Sequence, residues 1–186
     1  MSLERESVSL ILSSLKKIEK KRIDVSTWKK FKIGELFEYD RGKEAAPKQV
    51  EDWDYPMINE TSENNWLTKY AKPTKVLKGN SISVSVNFAQ TVFYQPKDFC
   101  ASVNVMSLYN EKLNYYIWMF IVWILRRRHF GYDYWEKISK DRLLEETIYL
   151  PTTSSWEPDY KYMENYIERL YYSSKKKIQL LKELSQ

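Results

Sequence analysis

The stretch "YYIWMFIVWIL", Tyr115 to Leu125, leaves few options for any chain that carries it, because so many large apolar side chains in a row must leave water. It is about half of the ~20 residues a helix needs to cross a bilayer, and tyrosines and tryptophans interrupt it. A membrane anchor is excluded on length, and the run is expected as a buried helix of a globular domain. Arg126, Arg127 and Arg128 follow at once, where cations favour the negative carbonyl end of such a helix.

A chain of 186 residues has room for one domain with a proper core and an appended helix or two. Its 43% hydrophobic and 30% charged residues are the balance of a folded domain rather than of a disordered one. The net charge of +5 is unevenly spread, with basic blocks at 16–22 and 126–128 and a mostly acidic stretch at 44–63. That pattern permits a phosphate-bearing partner without requiring one. A single cysteine, Cys100, rules out an internal disulfide, and the first residues carry acids where a secretion signal has a positive leader. A reducing, cytoplasmic setting is expected.

Residues 3–22 have Val8, Ile11, Leu12, Leu15 and Ile18 at spacings of three and four, the stripe of an amphipathic helix that needs a partner. Trp28, Phe31, Ile33, Leu36 and Phe37 are candidate core residues of the main domain, with Gly42 as a turn. Residues 43–75 show little periodicity and are expected as irregular structure with short strands. In "GNSISVSVNF" Ile82, Val84, Val86 and Phe88 alternate with Ser81, Ser83, Ser85 and Asn87, which predicts a strand with one core face and one small polar face. "TVFYQ", "VNVMSL" and "TIYLP" read as further strands. From Tyr160 to Leu184, Met163, Ile167, Leu170, Ser174, Ile178 and Leu181 fall close to a seven-residue repeat, the mark of a helix that pairs. The predicted organisation is α+β: an N-terminal helix over 1–25, a mixed domain over 26–153 and a long helix over 154–186.

Several chemistries have nothing to work with. The glycines at 34, 42, 79 and 131 are too scattered to cradle a phosphate, and His129 and Cys100 stand alone as imidazole and thiol. Pro158-Asp159 opens like a nuclease motif, but no Glu-x-Lys follows at a suitable spacing. No catalytic residue, metal site or cofactor is expected. Binding chemistry is better represented. "RRRHFGYDYWEKISKDR" mixes cations with Phe130, Tyr132, Tyr134 and Trp135, which suits phosphate and stacking contacts. Taken locally, it also reads as a solvated helix end followed by a turn whose aromatics are core. "YDRGKE" and "NETSENNW" add Arg41, Lys43, Asn64 and Asn65, residue types that can read base edges and that loops also favour for turn chemistry.

Taken in order, "WKKFKIGELFEYDRG", "YPMINETSENN", "VLKGNSISVSVNFAQTVFYQPKDF", "VNVMSL", "YYIWMFIVWIL", "FGYDYWEKISKDRLLEETIYLP" and "EPDYKYMENYIERLYYSSKKKIQLL" resemble the DNA specificity subunit of type I restriction-modification systems and its type IIB relatives. The resemblance covers residues 28–186 as one target recognition domain and one spacer helix. It implies a mixed α/β domain that reads a short half-site of double-stranded DNA in the major groove. It further implies no catalysis by the chain itself and docking to a methyltransferase subunit, with a restriction subunit as a further candidate partner. Because full-length members have two such units, a homodimer is expected, with Met163, Ile167, Leu170, Ile178 and Leu181 as the pairing face. The candidate DNA contacts are Arg41, Lys43, Asn64, Asn65, Tyr132, Tyr134, Lys137 and Lys140, all expected in loops. Residues 3–22 are expected to pack on the spacer helices. A helix-mediated adaptor that binds only proteins is the alternative from another class, and a Mg²⁺-dependent carboxylate nuclease is a third.

Overall fold

The computed structural model of the chain describes residues 23–60, 64–86, 92–127 and 138–184. Nine strands and four α-helices occur among them. A four-stranded antiparallel sheet is built from β2 (Glu38–Arg41), β5 (Ser81–Ser85), β6 (Val92–Gln95) and β8 (Val105–Tyr109), in the order β2-β8-β5-β6. A smaller sheet joins β3 (Asp52–Ile58), β4 (Leu67–Ala71) and β7 (Cys100–Ala101), and β1 (Lys29–Lys32) pairs antiparallel with β9 (Thr147–Leu150). The helices are α1 (Ile33–Leu36), α2 (Tyr115–Arg127), α3 (Lys140–Glu145) and α4 (Tyr160–Leu184).

The apolar run that opened the sequence is α2. Asn114 caps its start, with Oδ1 accepting from the amides of Tyr116 at 3.0 Å and Ile117 at 3.1 Å. Trp118, Phe120 and Ile121 are fully buried and pack with Ile82, Val84, Met106 and Leu108 of the four-stranded sheet in the main core. Each such side chain contributes about 1.5–3 kcal/mol when removed from water. Of the core residues expected near the domain start, Trp28, Ile33, Leu36 and Phe37 are buried and Phe31 is partly so. No helix among the described residues is long and apolar enough to cross a membrane.

The serine face of β5 departs from expectation. Ser81, Ser83 and Ser85 are as buried as Ile82 and Val84, so both faces of the strand are covered. The reason is a second layer: β3, β7 and the turn at Trp66 bring Ile58, Trp66, Phe99 and Ala101 beneath the sheet, where Val105 and Phe93 meet them. The hydroxyls are satisfied there. Ser81 Oγ donates to the Lys78 carbonyl at 2.7 Å, Gln95 Nε2 donates to Ser83 Oγ at 3.0 Å, and Ser85 Oγ donates to the Glu60 carboxylate. Alternation in the sequence marked the change of polarity but not the layer that covers it. Asn87 and Phe88, the last pair of that pattern, lie outside the described residues, as do residues 3–22.

The 43–75 region is also more regular than expected. It holds seven-residue β3 and its antiparallel partner β4, with Pro56 inside β3. Pro56 is tolerated because β7 pairs with β3 only at Met57 and Ile58, so no ladder bond is needed from the proline nitrogen on that side.

Two features clamp the layers together. Gly42 donates its amide to the Val105 carbonyl at 3.0 Å, and a Cβ there would lie 2.1 Å from the Ala101 oxygen and 2.3 Å from that of Ser102. Only glycine fits so close an approach. Glu44, buried at 1% exposure, then accepts from the Thr74 amide at 2.7 Å, the Thr74 hydroxyl at 2.8 Å and the Lys75 amide at 3.0 Å.

The helix α4 divides in two. Met163 is fully buried, and Tyr160, Tyr162, Tyr166 and Ile167 pack on the domain core, whereas Leu170, Ile178 and Leu181 are 47%, 56% and 56% exposed. The seven-residue stripe is therefore shared: Met163 and Ile167 serve the chain's own domain, and only the later part is open to another partner.

Two outcomes follow from this packing. Gly42→Ala should lower unfolding stability in urea by at least about 1–3 kcal/mol, because the methyl meets backbone that cannot step aside. Burial, with a smaller contribution from the Glu44 charge, pushes the Cys100 thiol up to about 11. The folded thiol keeps its proton where the unfolded one, with its pKa near ~8.5, has lost it. Stability should then fall as pH rises from about 8.5 toward 11, and Cys100→Ala should flatten that slope in pH-dependent urea titrations.

Candidate nucleic-acid interface

One end of the four-stranded sheet gathers the cationic and aromatic groups. Strand pairing sets Arg41 opposite Met106, Ser85 opposite Val105 and Val92 opposite Val84, so the last residues of β2 and β5 and the first of β8 and β6 share that end. The turn before β8 closes it. Arg41 Nε donates to the Val103 carbonyl at 2.6 Å, and the Val86 amide donates to the Asn104 carbonyl at 2.9 Å.

Lys140 arrives from another direction. Ile138 is pinned by its amide, which donates to the Val86 carbonyl at 2.9 Å, and Ser139 then caps α3 by accepting from the Arg142 amide at 3.2 Å. This start places Lys140 Nζ over the Tyr39 ring, 5.3 Å from its centre. Tyr39 precedes Arg41 by two residues on β2, so the two side chains share a face of the strand. Its hydroxyl is raised above the ordinary tyrosine range, first by burial, against a lowering by the Arg41 charge and hydrogen bond. Tyr39 thus holds two cations beside the sheet end, a platform suited to phosphate oxygens or a base edge.

Asp40, between Tyr39 and Arg41 on β2, has its side chain on the opposite face of the strand. Its carboxylate forms an ion pair with Lys75, and Tyr109 donates to Glu38 farther down the strand. Lys43 is exposed just past Gly42. Across the sheet, Arg126 Nε donates to the Val92 carbonyl at 2.8 Å, and its guanidinium lies 4.5 Å from the centre of the Phe93 ring. The arginines at the end of α2 are therefore more than solvated charges. Arg126 rides on β6 while Arg127 stacks on Trp123 at 4.9 Å.

The sequence candidates separate into three groups. Arg41 and Lys140 come together around Tyr39, though neither lies in a loop: Arg41 ends β2 and Lys140 begins α3. Asn65 is exposed in a 3₁₀ turn with φ 51, a left-handed conformation that asparagine tolerates, and its carbonyl accepts from Gln95 Nε2 at 3.2 Å. Gln95 pairs with Ser81, in register with Glu38 and not with Arg41, so this bond does not bring Asn65 to the sheet end that holds Arg41 and Lys140. Asn64 begins the same turn. Tyr132, Tyr134 and Lys137 lie outside the described residues. The segment that carries them leaves after Arg127 and returns at Ile138, and both Arg126 and Ile138 are anchored at this sheet end.

Sequence reasoning did not single out Tyr39, and it noted Arg126 only as part of a basic run. The spacing of Tyr39 to Arg41 on a strand was a usable signal; the stacking of Arg126 on Phe93 joins segments far apart in the chain and left no local trace. Among the described residues no group of three or more His, Cys, Asp or Glu side chains gathers where a metal ion could be held.

The chain and its fold are similar to those of known proteins. The chain is 28% identical over 148 residues to the type II restriction enzyme specificity subunit S.BcgI of Heyndrickxia coagulans, covering 77% of this chain and 43% of that one. Its fold is similar to the HsdS subunit of Thermoanaerobacter tengcongensis, with a TM-score of 0.56 and 14% identity over 98% of this chain and 46% of that one. It is equally similar to the type I restriction-modification S subunit of M. genitalium, with a TM-score of 0.56 and 14% identity over 99% of this chain and 50% of that one. The chain spans about half the length of these relatives or less. The sequence model described as the type I restriction modification DNA specificity domain matches residues 25–183, and the chain belongs to that family.

Proposed function

We propose that this chain is a non-catalytic DNA specificity subunit that reads a short half-site of double-stranded DNA and brings a separate methyltransferase subunit to it, in the cytoplasm. Family membership supports sequence recognition in general terms. The observation that carries the assignment to a surface is the pair Arg41 and Lys140 held around Tyr39, at the sheet end to which the flanks of the 128–137 segment are anchored. In this reading Arg41, Lys43 and Lys140 meet phosphates or guanine edges on one flank. Asn64, Asn65, Tyr132, Tyr134 and Lys137 are the further candidate contacts. A restriction subunit is a further partner of the same complex.

The open part of the α4 stripe supports pairing of two copies, which would present two half-sites related by a two-fold axis.

With the cognate methyltransferase present, Arg41→Ala and Lys140→Ala should each weaken DNA binding in a gel-shift assay. Where the side chain neutralises a phosphate, its removal should flatten the slope of log affinity against log salt by about 0.9. Unchanged affinity and slope in both variants would move the interface elsewhere. For pairing, light scattering at tens of micromolar should give the mass of two chains, and Leu181→Asp should shift it toward one. A wild-type chain that remains single at that concentration removes the homodimer.

A further inference from the structure

The end of α2 gives the exposed side chain of Arg126 a fixed direction. Its Nε donates to the Val92 carbonyl at 2.8 Å, and its guanidinium carbon lies 4.5 Å from the centre of the Phe93 ring. Phe93 is backed in turn by Trp66, with ring centres 5.0 Å apart, and Trp66 is only 1% exposed. A hydrogen bond through Nε and a ring contact together restrict the orientation of the group. A cation that only offsets the negative end of a helix needs neither. Arg127 shows that looser arrangement, with its charge over Trp123, one turn back on its own helix.

Strand register shows where the guanidinium stands. Arg41 pairs with Met106, Met106 with Val84 and Val84 with Val92, so Arg41 and Val92 end a single row across the sheet. The strands that carry them, β2 and β6, are the two edges of that sheet. Three strand steps of ~4.8 Å put about 14 Å between the two backbones. The guanidinium of Arg126, bound to Val92, is thus at the same sheet end as Arg41 and on its opposite edge.

With Nε committed to Val92, the group presents its two terminal Nη atoms. They form a planar fork of donors that matches O6 and N7 of guanine in the major groove. A phosphate accepts from such a fork too, but a lysine on a free stem meets a phosphate as a point charge and needs no fixed plane. Holding the fork in advance lowers the cost of ordering it, a gain that counts most where direction decides the contact. We infer that Arg126 is a specificity-determining residue that reads one guanine of the half-site through this fork. The inference rests on the sheet end around Tyr39 being the DNA-reading surface, and it extends that surface to the β6 edge.

Competition binding with single-base variants of the half-site tests it. The cognate methyltransferase is present, and the target is the one the wild-type chain selects from random duplexes. Arg126→Lys keeps the charge and loses the fork; Arg126→Met keeps an apolar stem on Phe93 and loses both. The wild type should disfavour replacement of one G·C pair by about 5- to 150-fold, the range of one bidentate contact. Both variants should lose that preference and retain the preferences at the other pairs. Equal weakening on every sequence, with a salt slope flattened by about 0.9 in Arg126→Met and not in Arg126→Lys, assigns the residue to a phosphate and overturns the inference. Unchanged base preferences with lower stability in urea make Arg126 a support for the β6 edge and overturn it as well. A wild-type complex that selects no sequence defeats the DNA-reading assignment together with the inference, whereas a selective wild type with unmoved variants defeats the inference alone.

Discussion

Burial of α2 between the four-stranded sheet and the start of α4 is the interaction on which the rest of the molecule depends. Trp118, Phe120 and Ile121 occupy one side of the sheet, and the rings of Tyr162 and Tyr166 close over Phe120 at 6.4 Å and 5.7 Å between centres. This single helix joins the domain to the long helix, so the direction of α4 is set by packing rather than by a linker. It also delivers Arg126 to β6, which ties the mechanical centre of the fold to the cationic sheet end.

The second layer has a different physical basis. It rests on close approach and buried polar bonds: Gly42 against the carbonyls of Ala101 and Ser102, Glu44 on the amides of Thr74 and Lys75, and serines beneath the sheet. Such interactions are directional and tolerate little displacement. They hold β2 and the turn before β8 in fixed relation, and Arg41 sits where the two meet. Cations carried on a strand end and a capped helix start are held in place more closely than they would be on free loops.

Local signals in the sequence suffice where one segment determines its own structure. The run at 115–125, the alternation at 82–86 and the repeat from Tyr160 onward are each a periodic pattern that backbone geometry converts directly into a helix or a strand. The stretch at 43–75 was harder, since β3 is held by partners from β4 and β7 and contains a proline that propensity alone argues against. Arg41 and Lys140 were legible as candidates by residue type, but not as neighbours. The ring of Tyr39 that joins them meets Lys140 only because α3 is pinned to β5 through Ile138 and Val86.

By itself the sequence determined that the chain has a buried helix too short for a bilayer, a sheet with one apolar face and a long helix with an apolar stripe. These follow from side-chain periodicity, which is a property of consecutive residues. Only the tertiary structure decided which parts of those faces are occupied. Met163 and Ile167 turn to their own domain while Leu170, Ile178 and Leu181 do not, and the serines of β5 are covered although they look like an outer face. Burial depends on what other segments bring to a surface, and no single stretch of chain carries that information.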